Sequence, residues 1–195
     1  MAPLLGVLTP LQVINDVVLK TGRGIAVVAM VLMVVAILIQ VFFRYILNNA
    51  LPWPDEAARF MMLWMTGLIA ASAYRRGGFV AIDMVENLMS RRVAALLSLA
   101  LLFLSLLVLV VGLNFGWKHV NGGWLFNSSS LKLPLEAFGY GVVRIKLAWM
   151  YMSLFVGLIL LTSVNIELIL RSIITLGGRG DDLRPIPGDD LQGAE

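Results

Sequence analysis

Arg44–Arg59 reads RYILNNALPWPDEAAR and joins two apolar runs, Gly24–Phe43 and Ala57–Tyr74, each long enough to be a membrane helix. Its sixteen residues hold two arginines, the adjacent acids Asp55 and Glu56, Tyr45, and Trp53 flanked by prolines. Pro52 and Pro54 impose an extended turn, and Pro54-Asp55-Glu56 opens the second run with acids at its positive N-terminal end. At the edge of a bilayer an unpaired ion costs several kcal/mol, so charges this dense are expected to pair. The spacing lets Glu56 bridge Arg44 across the hairpin or meet Arg59 three residues on. The expected element is a hairpin cap that clamps two helices, with no chemistry of its own.

Working outward, composition gives the class. The chain has 195 residues, 59% of them hydrophobic and 14% charged, with a mean hydropathy of +0.89. Soluble domains carry roughly 25% charged residues, so this is an all-α integral membrane protein with no room for a separate soluble domain. Cysteine is absent, which removes disulfides and thiolate chemistry, and a single histidine excludes bis-His haem. No cofactor or metal site is expected, and no catalytic residue. The net charge of +3 reports membrane topology and does not imply nucleic acid.

Four spans are expected, at about 24–45, 57–74, 93–117 and 147–170, with two interfacial amphipathic helices. The first of these opens at Thr9-Pro-Leu-Gln12, a capping-box pattern, and sets Leu11, Ile14 and Val18 on one face and Gln12, Asn15 and Asp16 on a wet one. The second covers 79–92, with Asp83 and Glu86 on its polar face. Gly67 and Ala71 form a small-xxx-small pair suited to close helix approach. Lys118–Tyr140 reads as a loop, with one short re-entrant helix from Leu133. Residues 177–195, rich in Gly, Asp and Pro, read as a disordered tail.

Counting Lys and Arg sets the orientation. With both termini cytoplasmic, that side carries nine basic residues and the other carries six, and the cluster from Arg75 to Arg92 decides the difference. The span centres hold no ionisable residue, whereas a transporter that works alone needs such a site near the midplane. Glu167 and Arg171 stand four apart on the last span and read as a solvated salt bridge. By this reading Glu56 matters more than Glu167, because only Glu56 would leave an arginine unpaired near hydrocarbon.

The pattern R-Y-(7 residues)-W-x-x-E-x-x-R from Arg44 to Arg59, followed by a basic stop and Val80-Ala-Ile-Asp83, resembles the small membrane subunit of TRAP transporters, the DctQ type. Trp149 and Tyr151 are similar to an aromatic pair of that family, and Ser130 and Pro134 to its S-x-x-L-x-x-P-like approach to the last helix. The chain departs from the pattern in a longer 118–146 segment and in Lys146, where a proline is expected. The resemblance implies a sodium-driven secondary importer of an organic acid in the bacterial inner membrane. Its partners would be a large DctM-type membrane subunit, a periplasmic DctP-type binding protein and membrane lipids. It also implies that Arg44, Tyr45, Trp53, Asp55, Glu56, Arg59, Asp83, Trp149 and Tyr151 are structural and interface residues. Two rival readings are a self-sufficient homodimeric four-helix transporter, which needs a midplane acid, and a membrane anchor of a redox complex, which needs cofactor ligands.

Overall fold

A computed structural model describes residues 2–77, 91–133, 143–177, 183, 184 and 186. Among the described residues four helices dominate: α1 (Ala2–Tyr45), α2 (Pro54–Gly77), α3 (Arg91–Gly123) and α4 (Ala148–Leu176). Strands β1 (Asn127–Leu133) and β2 (Val143–Lys146) form an antiparallel pair between α3 and α4. Three helices, α1, α3 and α4, are long and apolar enough to cross a membrane. At 24 residues α2 reaches about 36 Å, but Asp55, Glu56, Arg59, Arg75 and Arg76 dilute its ends. Of the expected helix over 79–92, residues 79–90 lie outside the described residues, as does the segment 134–142, while Arg91 and Arg92 open α3.

The first correction concerns α1. Instead of an interfacial helix followed by a span, one helix of 44 residues runs without a break through Gly22 and Gly24. The reason lies in its buried positions: Leu8, Gln12, Asn15, Leu19, Gly22, Ala26, Ala29, Ala36 and Gln40 keep alternating steps of three and four residues, with half-buried Met33 filling the remaining step. Such a 3.5-residue period maintains one contact seam, so the helix has no cause to turn at the glycines. The polar residues of its first turns lie on that seam, and Ile14, Val17 and Val18 point outward. The faces are thus inverted relative to an interfacial helix.

By packing, the chain divides into two units. One comprises Met1–Thr21, Ala70–Gly112 and Leu158–Glu195; the other comprises Gly22–Ile69 and Leu113–Gly157. The first has a core of Leu19, Ala71, Leu102, Val164, Leu168 and Ile169, against which Tyr74 and Ile186 pack. Arg184, in the segment read as a disordered tail, accepts a hydrogen bond through its carbonyl from Arg171 Nη2 at 2.6 Å.

The second unit is set by a close crossing of α2 and α4. Gly67 lies against the Ser153 carbonyl, and a Cβ on Gly157 would stand 2.9 Å from Gly67 Cα. Backbone meets backbone there, which only paired glycines allow. Aromatic contacts add to the unit: Trp117 with Phe155 at 5.5 Å, His119 with Tyr151 at 4.1 Å, and Trp124 edge-on to Trp149 at 6.1 Å.

Gly157→Ala is expected to lower stability by about 1–3 kcal/mol, because the new methyl meets backbone that cannot rotate away. Gly122→Ala, with nothing within 4 Å of the added carbon, should leave the melting temperature unchanged or slightly raised. Thermal unfolding of both variants in detergent would check this; equal melting temperatures would refute the close crossing.

Candidate functional site

Two clusters hold the polar groups, one in each unit. The first is built around Glu56 in the opening turn of α2. Pro54 begins that helix and is buried, and the Trp53 carbonyl accepts the Ala57 N–H at 2.9 Å. The preceding turn leaves α1 through Asn48, whose φ of 48° is left-handed, a conformation asparagine tolerates well.

Glu56 does not pair with an arginine. Its Oε1 accepts from Ser128 Oγ at 2.6 Å; its Oε2 accepts from the Ser130 N–H at 2.8 Å, from Ser129 Oγ at 3.3 Å and from Ser130 Oγ. The β pairing explains how three consecutive serines reach one carboxylate. Asn127 pairs with Lys146 and Lys132 with Arg144, so residues 128–131 of β1 face Ile145 alone. The surplus residues bulge out of the ladder and turn toward Glu56. Ser128 Oγ also accepts the Leu131 N–H at 2.9 Å, fixing the bulge. The expected loop over this stretch is therefore a strand pair. Its serine run is a cradle.

Partial burial would raise the Glu56 pKa, but the hydroxyls of Ser128 and Ser130, the Ser130 N–H and the Ser129 hydroxyl outweigh it and hold the group at about 2. Four oriented donors thus supply the charge compensation expected from arginine. Among the described residues Arg44 and Arg59 form no ion pair. Arg44 lies over its neighbour's ring, with its guanidinium carbon 5.9 Å from the Tyr45 centroid, and Tyr45 is 71% exposed. Asp55 is exposed and meets Gln40 Nε2 only at 3.5 Å. Trp53 and Trp149 are partly exposed, Tyr151 stacks near His119, and Asp83 lies outside the described residues.

The second cluster was expected to be wet and is buried. Glu167 is 0% exposed and Arg75 only 7%. Glu167 Oε1 accepts from Arg75 Nη2 at 2.7 Å and Nε at 3.2 Å, and lies 3.4 Å from Arg171 Nε. Its Oε2 accepts from Asn15 Nδ2 at 2.7 Å. Asn15 Oδ1 in turn accepts from Ser163 Oγ at 2.7 Å, and Arg75 Nη1 pairs with Asp16. With its amide oriented to suit these partners, Gln12 accepts from Arg171 at 2.9 and 3.2 Å. Nearby, Asn165 Nδ2 donates to Tyr74 OH at 2.9 Å. Two acids and two arginines from α1, α2 and α4 thus close on one another. The solvated Glu167–Arg171 bridge expected from the sequence is an interior one, because Arg75 and Asn15 complete its shell.

The two clusters hold their charge in different ways. Each is a device for holding charge: one with neutral dipoles, the other with counter-ions. Among the described residues no group of His, Asp and Glu is placed to hold a metal.

Against known proteins, the profile of the family described as "Tripartite ATP-independent periplasmic transporters, DctQ component" matches residues 33–175, well over half of the chain. Comparison with curated proteins gives no match.

Removing one partner of a buried pair costs about 3–5 kcal/mol, since the other charge stays buried. Glu167→Gln should therefore lose that much stability, and Glu56→Gln, whose shell is neutral serine, distinctly less. Denaturation of the two variants in mild detergent checks the order, which is the reverse of the sequence expectation. Folding lowers the Glu56 pKa from 4.5 to about 2, so its contribution is whole above pH 4.5 and fades as pH falls toward 2. The stability gap between wild type and Glu56→Gln should narrow across that window; a gap constant from pH 6 to 3 would disprove the cradle.

Proposed function

The chain belongs to the DctQ component family of tripartite ATP-independent periplasmic transporters, and on that premise we propose that it is the non-catalytic scaffold subunit of a secondary importer. It stabilises a large transport subunit, helps dock a periplasmic binding protein, and serves sodium-driven uptake of an organic acid. It lies in the bacterial inner membrane with both termini cytoplasmic, as the nine-to-six basic count favours. In this reading α2 is a fourth span, carried by its contacts with α4.

One observation carries the proposal. Residues 24–43, 60–74, 93–117 and 148–166 contain no Asp, Glu, Lys, Arg or His. A driven solute or ion needs ligands near the middle of the membrane, and a polypeptide without them braces others. The buried ions of the second cluster support the same role, since they spend their charge on one another. The exposed apolar side chains of α1 and α3, such as Val27, Val31, Leu38, Leu104, Leu107 and Val108, leave surface for a membrane partner.

Co-expression with the large subunit should yield a complex that co-purifies in detergent, and omission of this chain should abolish uptake. Gradient-driven uptake by liposomes holding this chain alone would overturn the assignment in favour of a self-sufficient transporter.

A further inference from the structure

Beside the Glu56 cradle lies a cleft of about 530 Å³ whose walls include Pro52, Asp55, Arg59, Leu147 and Met150. Asp55 and Arg59 stand four apart on α2, one turn apart on one face, a spacing at which opposite charges ordinarily meet. Here both are exposed, both line the cleft, and they form no ion pair with each other. Glu56 is no rival for Arg59, because the serines already occupy its oxygens. Glu56, Ser129 and Ser130 line the cleft as well, so beside the serine-held carboxylate a positive and a negative group are displayed next to the apolar Pro52, Leu147 and Met150. Trp53 and Trp149, each next in sequence to a wall residue, are 38% and 45% exposed, as aromatic side chains at a membrane–water boundary are.

We infer that this cleft binds the headgroup of a zwitterionic phospholipid carrying a primary ammonium. Arg59 takes the phosphate, for which a guanidinium offers paired donors. Asp55 takes the ammonium, which is linked to the phosphate by two carbons and so falls within reach of a carboxylate one helical turn away. Pro52, Leu147 and Met150 meet the glycerol and upper acyl carbons. Phosphatidylglycerol lacks the cation and would leave Asp55 facing an anion. The inference rests on the reading of α2 as membrane-embedded, and it stands or falls separately from assembly with the large subunit.

The test uses the full chain, purified with its membrane partner, delipidated, and titrated with dioleoyl-phosphatidylethanolamine or dioleoyl-phosphatidylglycerol, with bound lipid counted by native mass spectrometry. The expected result is a preference of about tenfold for the ethanolamine lipid, the worth of one charge-assisted contact. Arg59→Gln should weaken both lipids about fivefold or more, and Asp55→Asn should remove the preference without weakening phosphatidylglycerol. Both side chains are exposed, so co-purification and helical content should be unchanged. Lipid binding indifferent to both substitutions would overturn the inference. So would displacement of the lipid by soluble glycerophosphoethanolamine, which would mark a site for a small phosphoamine. Arg59→Gln that spares lipid but weakens capture of the periplasmic binding protein would make the cleft a protein contact, and would also sink it.

Discussion

A carboxylate with no exposed surface, Glu167, is the constraint on which α1, α2 and α4 depend. An ion in that position is tolerable only if its lone pairs are filled and its charge opposed. Arg75 opposes it and Asn15 fills the second oxygen, with Arg171 alongside. Each of these comes from a particular turn of a particular helix, so the cluster fixes rotation and height together. Apolar packing alone would permit α1 to slide by a heptad, because its buried positions repeat every seven residues. A single buried acid that must meet Asn15 and not its heptad neighbours removes that freedom, the way a buried polar residue sets register in a coiled coil.

The same constraint explains the length of α1. Polar residues near a helix start ordinarily seek water, and a helix with such a face lies flat on the membrane. Gln12, Asn15 and Asp16 instead find donors and acceptors on α2 and α4, and that stripe continues in phase through Ala26, Ala29 and Ala36. A wet environment for these residues would forfeit hydrogen bonds that a low-dielectric interior makes more valuable. The helix therefore continues past Gly22, whose added Cβ would meet only ordinary contacts with Leu68.

How far the sequence revealed this depends on which signal is local. The Pro54 helix start and a close helix approach at Gly67 follow from composition and spacing, although the residue that meets Gly67 is Gly157 on α4, which the Gly67–Ala71 spacing could not name. The inverted face of α1 was not legible, since a stripe of Gln, Asn and Asp looks the same whether water or protein covers it. One signal was available: Glu167 sits in an otherwise apolar run, Ile166-Glu-Leu-Ile-Leu, where a solvated acid would be out of place. The Glu56 cradle was hidden for another reason. Its donors lie more than seventy residues away in the chain, in a stretch whose Ser and Asn content signals a loop. The bulge that aims Ser128–Ser130 depends on a pairing register that only the partner strand defines. Charge counting favoured arginine over serine for Glu56 because it cannot see oriented dipoles.

The two ways of holding an acid have different consequences for the surface they leave behind. Around Glu167 the formal charges of Asp16 and Glu167 balance those of Arg75 and Arg171, so the group is self-contained and offers nothing to an outside partner. Around Glu56 no cation is consumed. Serine hydroxyls and one backbone N–H satisfy the carboxylate, and Arg44, Arg59 and Asp55 keep their charges available at exposed positions. Had Glu56 been neutralised by Arg59, as charge pairing alone would dictate, the cleft wall would keep Asp55 but lose its free cation. Dipolar compensation thus separates two tasks that ion pairing would merge: it fixes the start of α2, and it leaves that start charged enough to recognise something else.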